Sequence, residues 1–196
     1  MKTTLAVALL ANLAEAKMGF GACPTVETMT DLDNARFAGN WYEVARDSQF
    51  FMELGYECTT EQYVLNDDGD LDFYYRANML HPLAYYGGIG GTVVDCEDGS
   101  LCQNMNTPGG PSNGHSWNLL GTDYDNWATH YYCRDMGMGV HWETWSVIAK
   151  DSTTLSDDHY AAAQALVYDH VPNTDINWLT RHWTEHWWCT YDWTLA

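Results

Sequence analysis

The stretch Phe37-Ala38-Gly39-Asn40-Trp41-Tyr42-Glu43-Val44-Ala45-Arg46 sets a glycine and a tryptophan at the head of a strand-like run. A short helical turn over residues 31–37 precedes it, and the strand extends over 40–48. Outward from there, 58–65 is a second strand. Asn66-Asp67-Asp68-Gly69 makes a tight turn into 71–78, where Leu71, Phe73 and Tyr75 alternate on one face. The glycine run Gly87-Gly88-Ile89-Gly90-Gly91 reads as a flexible loop ahead of Thr92-Val93-Val94, without the strand–loop–helix context of a phosphate cradle. Further strands fall at 116–121, 127–134 and 141–149, and Gly137 and Gly139 turn the chain between the last two. One helix follows over 156–171, opened by Ser156-Asp157-Asp158 and stopped by Pro172, with Ala162, Leu166 and Val167 on one face. Short strands in succession and then one helix are the pattern of an all-β fold. The expected architecture is an eight-stranded up-and-down antiparallel barrel with the C-terminal helix packed outside.

The chain has 196 residues, enough for one substantial core, and no internal repeat, linker or second domain. It carries 27 acidic against 8 basic residues, a formal charge of -19, which repels nucleic-acid phosphates and anionic lipid headgroups. Residues 1–16 read as a secretory signal, with Lys2 as the positive region, an apolar run and an Ala14-Glu15-Ala16 cleavage site. The domain then covers 17–196 and is secreted. No segment offers the roughly 20 apolar residues of a membrane-spanning helix, and no N-glycosylation sequon occurs. Secretion puts the six cysteines in an oxidising compartment, although spacing alone chooses among none of their pairings.

Three motifs in order give the chain a family resemblance: Gly39-Asn40-Trp41, then Gly121-Thr122-Asp123-Tyr124, then Trp145-Ser146-Val147-Ile148-Ala149-Lys150. From Cys23 through Cys189 it resembles the lipocalins, in the branch of apolipoprotein D and insect bilin-binding proteins. The resemblance implies that Trp41 fills the closed end of the barrel under the side chain of Lys150, with Gly39 allowing close packing. It also implies pairing of Cys23 with Cys133 and of Cys58 with Cys189, which leaves Cys96 with Cys102 in one hairpin.

The same resemblance assigns the ligand-facing side chains. They are Tyr63 and Tyr75 from the second and third strands, His115 and Trp117 from the sixth, and Tyr132 with Arg134 from the seventh. On the last strand, His141, Glu143, Trp145 and Val147 share a face, and Trp145 is placed in the cavity with Glu143 near its mouth. Aromatic walls with a few polar tips suit a retinoid, carotenoid, bilin, sterol or fatty acid. A Glu143–His141 pair doing acid–base work and a cavity thiol nucleophile are the catalytic alternatives. Neither outweighs plain binding, and neither a metal nor a cofactor is expected. His182 and His186 stand four apart, yet Glu185 is misplaced for an H-E-x-x-H site. The stretch 178–193 holds five tryptophans, which either cover the barrel wall or form a surface for self-assembly or a receptor. A scaffold displaying that tail is the rival to ligand transport.

Overall fold

The computed structural model describes residues 18–47, 56–79, 85–95, 101–107, 110–111, 117–151, 153–171, 179–181, 189, 191 and 193. The signal segment, His115, Cys96 and most of the tryptophan-rich tail, with His182 and His186, lie outside the described residues.

The strands are β1 (Met18–Phe20), β2 (Gly39–Asp47), β3 (Tyr56–Leu65), β4 (Leu71–Met79), β5 (Tyr85–Asp95), β6 (Leu101–Thr107), β7 (Gly110–Pro111), β8 (Trp117–Thr122), β9 (Trp127–Gly137), β10 (Val140–Lys150) and β11 (Leu179–Arg181). Helix α1 (Asn34–Phe37) precedes β2, and α2 (Asp157–His170) follows β10. The order β7-β6-β5-β4-β3-β2-β10-β9-β8 is antiparallel throughout, with β1 added to β10 and β11 to β2. Apart from the two- and three-residue strands β1, β7 and β11, eight strands remain. They form a curled sheet whose two ends, β6 and β8, come into contact.

Local chemistry explains the element boundaries. Asp33 caps α1 by accepting from the Arg36 backbone N–H, and Ser156 caps α2 by accepting from that of His159. In the β3–β4 turn, Asn66 Oδ1 accepts from the N–H groups of Asp68 and Asp70, and Gly69 takes φ +89°. The β9–β10 hairpin turns through Gly137, Met138 and Gly139, all at positive φ. The long β2, β3, β4, β8, β9 and β10 fall where the alternation placed them.

Two expectations need correction. The glycine run is not a loop, because all of it lies inside β5, hydrogen-bonded to β4 and β6. On α2 the buried side chains are Ala163 and Val167, with Ala162 exposed. The face toward the sheet therefore runs through Ala163, Leu166, Val167 and Val171. Thr129 Oγ1, donating to the Ala163 carbonyl at 3.3 Å, fixes which side of β9 carries the helix.

Candidate functional site: the barrel interior

The closed end is built by the three sequence motifs together. Phe37 stacks on Trp41 at 4.8 Å and meets Tyr63 edge-on at 4.8 Å, while Trp41 Nε1 donates to the Phe37 carbonyl at 3.0 Å. Lys150 Nζ lies 5.4 Å from the Trp41 ring centroid and donates to the Arg36 carbonyl. Gly39 has φ +145°, and a Cβ there would stand 3.0 Å from Lys150 Cε, so both backbone and space call for glycine.

Thr122 Oγ1 donates to the Trp127 carbonyl and accepts from the Tyr124 N–H. The Asp123 carboxylate accepts from the backbone of Asp125, Asn126 and Trp127 and from the Asn126 amide. Tyr124 lies under the Arg36 guanidinium, 4.3 Å from its ring centroid, and its hydroxyl accepts from the Asp33 N–H. All six motif residues are structural.

Burial alone would raise the Asp123 pKa, but the backbone bond from Trp127 and the further bonds outweigh it and hold it below the usual carboxylate value. A depressed folded pKa contributes stability that is present above the unfolded value and is lost as pH falls through the folded one. Acid titration of the native protein should therefore show a loss of stability below the ordinary aspartate range that Asp123→Asn removes. Asp123→Ala at neutral pH should cost about 1 kcal/mol at this half-buried site.

Which face lines the interior follows from Trp41 and Lys150, which are cross-strand partners at the closed end. Residues directly opposite share a face, and alternate residues follow it. On β10 the interior set is therefore Ile148, Ser146, Thr144 and Trp142. These stand opposite Ala128, His130, Tyr132 and Arg134 of β9. On β2 the set runs Trp41, Glu43 and, past an irregularity in its pairing with β10, Arg46 opposite Ser146. Glu61 and Tyr63 of β3 face Tyr75 and Phe73 of β4.

Tyr63, Tyr75, Tyr132 and Arg134 are thus on the expected face. The backbone of Trp117 stands opposite Tyr132, in the expected register. Trp145, Glu143, His141 and Val147 are not on that face. Trp145 stands opposite Tyr131 on the outer face and is buried with Leu155, Ala163, Val167 and Val171 beneath α2. Glu143 accepts from the Tyr131 hydroxyl at 2.6 Å, and burial, then that bond and its charge, push the Tyr131 pKa upward. His141 Nδ1 is 3.1 Å from the Gly21 carbonyl of the N-terminal arm. Donor atoms of Cys133, His141 and Glu143 lie within 4.8 Å of one another, but the Cys133 sulfur is committed to Cys23. Cys58 is bonded to Cys189, as the resemblance implies.

The interior is layered. Above the apolar floor of Phe37, Trp41, Leu71, Phe73, Ala128 and Ile148 comes a polar layer. Glu43, Glu61, His130 and Ser146 in it are each at most 2% exposed. Arg46 NH1 reaches Glu43 Oε1 at 3.2 Å, the Tyr63 hydroxyl donates to Glu61 at 2.5 Å, and His130 Nδ1 stands 3.9 Å from Glu61. Burial drops the His130 pKa to about 3, so the ring is neutral at physiological pH. Next comes an aromatic layer, where Tyr132 meets Trp142 edge-on at 5.1 Å. Arg134 is exposed at the rim. Along the wall, Gly91 stands opposite Phe73, Ile89 opposite Tyr75 and Gly87 opposite Ala77, so two of these three interior positions of β5 carry no side chain.

No protein-family model matches the chain. Bilin-binding protein of Pieris brassicae is 27% identical over 135 residues, covering 68% of this chain and 69% of the relative. Retinol-binding protein 4-A of Oncorhynchus mykiss is 27% identical over 120 residues, 58% of this chain and 66% of the relative. Insecticyanin of Manduca sexta superposes with a TM-score of 0.68 at 20% identity, over 84% of this chain and 87% of its own. The chain has the lipocalin fold. In this barrel Glu43, Glu61, His130, Thr144 and Ser146 are interior residues that the sequence alone did not single out. Each is two positions from a neighbour on the same face: Glu43 from Trp41, Glu61 from Tyr63, His130 from Tyr132, and Ser146 and Thr144 in steps down from Lys150. Counting by twos from the placed residues is the signal that finds them.

Proposed function

We propose that this protein is a secreted carrier or store for a small hydrophobic molecule, bound non-covalently inside the barrel. The observation that carries the reading is the aromatic layer of Tyr132 and Trp142, lying above a sealed floor and beside a wall where Gly87, Gly91 and Ala77 leave room. That combination gives a flat apolar molecule surfaces to stack on and space to occupy. Burial of apolar area at about 25 cal/mol per Å² supplies the affinity. The two relatives are named for bilin and retinol, both conjugated and largely apolar molecules. The two disulfides fit an oxidising, extracytoplasmic destination.

Binding rather than turnover is favoured because the proposed acid–base pair, Glu143 with His141, lies on the outer face. Cys23, Cys58, Cys133 and Cys189 are all spent in disulfides, and none of them offers a thiol. Tail-mediated assembly loses weight for a related reason. Tyr191 and Trp193 pack edge-on against Tyr42 of the outer wall at 4.9 and 5.3 Å, so this part of the tail covers the barrel.

Thr144→Trp, which fills the middle of the interior, should abolish retinol and biliverdin binding measured by fluorescence titration, with the far-UV circular dichroism of the native protein retained. A folded Thr144→Trp protein that binds both as the native one does would refute an interior site.

A further inference from the structure

We propose that reduction of the Cys23–Cys133 bridge turns its place on the outer wall into a site for a thiophilic divalent cation of the zinc class, held by the two released thiolates, His141 and Glu143. Three observations meet there. First, Cys133, His141 and Glu143 already converge: a donor atom from each lies within 4.8 Å of the others, and all three residues are buried. The sheet explains why. Glu143 stands opposite Cys133 across the β9–β10 ladder, and His141 is two residues from Glu143 on the same face. Cys23 is tied to Cys133, so its sulfur is the fourth donor in the same place.

Second, two thiolates, an imidazole and a carboxylate are the donor types that zinc takes. Donors around a tetrahedral zinc stand roughly 3.3–3.8 Å apart, so closing on the ion asks for shifts of about one ångström. Third, neighbouring groups orient the ligands, as outer partners do in metal centres. The Gly21 carbonyl stands 3.1 Å from His141 Nδ1, and Gly19 packs on the imidazole, where a Cβ would overlap the ring. The Tyr131 hydroxyl donates to one Glu143 oxygen, and a carboxylate has lone pairs beyond the one that bond uses. On the same face of β9 the flanking residues, Tyr131 and Asp135, add no positive charge.

The electrons and protons balance. A dithiol reductant opens the bridge by exchange and leaves as its own disulfide, its two electrons and two protons passing to the two cysteines. The cation then displaces those two protons and ties the N-terminal arm to β9 in place of the bond.

Cys23→Ser releases the Cys133 thiol with no reductant present and with Cys58–Cys189 intact. Cobalt(II), a spectroscopic stand-in for zinc, should bind this variant at one ion per chain, with a thiolate-to-metal absorption band that zinc abolishes. Adding His141→Ala or Glu143→Gln should weaken cobalt at least about tenfold, and adding Cys133→Ser should remove the band. The oxidised native protein should show no band. After reduction by a phosphine, the native protein should melt at a higher temperature with zinc than without, and His141→Ala should remove that rise. The inference is overturned if cobalt gives no thiolate band with Cys23→Ser, or if His141→Ala and Glu143→Gln leave its affinity unchanged. A band that survives Cys133→Ser puts the ion on other cysteines and overturns it as well. Should Cys23→Ser fail to fold, the reduced native protein decides: no rise with zinc, or a rise that His141→Ala leaves intact, rejects the site.

Discussion

Replacing Trp145 with alanine should destabilise the protein by about 3–5 kcal/mol and leave its affinity for retinol unchanged. The side chain is 1% exposed and forms the centre of the contact between β10 and α2, packed with Val147, Leu155, Ala163 and Val167. Its removal opens a void between two rigid elements that cannot close around it, so both the transfer term and the cavity term are lost. The interior is on the other side of the strand, where Thr144 and Ser146 stand. Urea denaturation reads the first effect and retinol titration of the folded variant the second. Trp142→Ala should give the opposite balance, with weaker binding and a smaller loss of stability. Reduced affinity in folded Trp145→Ala at full occupancy of the native state would put Trp145 back inside the barrel.

The second large effect concerns the N-terminal arm. Cys23 and Cys133 close a loop with a sequence separation of 110, and the bond anchors the N-terminal arm to β9. Its other attachments include the short ladder of β1 to Val140–Trp142, the Gly21 N–H donating to the Gly139 carbonyl, the Met29 N–H donating to the Leu119 carbonyl, His170 Nδ1 at 2.7 Å from the Glu27 carbonyl, and the packing of Val26 against the outer core. A double Cys23→Ser, Cys133→Ser variant should lose about 2–5 kcal/mol, because a long loop is released in the unfolded chain and the arm is freed in the folded one. Since the arm covers the outer face, ligand binding by the remaining folded population should persist. A midpoint of urea unfolding equal to that of the native protein would show that the bridge adds nothing.

The floor of the barrel was legible because its motifs are local and chemically specific. Gly39 is required by backbone conformation, Trp41 by volume and Asp123 by the ring of N–H groups it satisfies. The face of β10 was misread for a physical reason. Central β10 residues are buried on both sides, by the interior and by α2 with the N-terminal arm, so its hydrophobicity does not alternate. Trp142 and Trp145 then look equally suited to a cavity. Only the stack of Lys150 on Trp41 breaks the tie, since it sets the parity of every residue before it. The glycine run failed as a loop because composition says flexibility, whereas the ladders with β4 and β6 hold it as a strand, with Gly87, Ile89 and Gly91 on the interior face. The one-residue error on α2 has a similar origin: Ala162 and Ala163 are indistinguishable until the Thr129–Ala163 contact orients the helix.

The measurement that bears most directly on this account is a titration of the native, folded protein with retinol, followed by quenching of tryptophan emission. Saturable quenching at one molecule per chain, with competition by biliverdin, is the predicted result. No saturable response to retinol or to biliverdin would contradict the claim that the barrel interior holds a ligand.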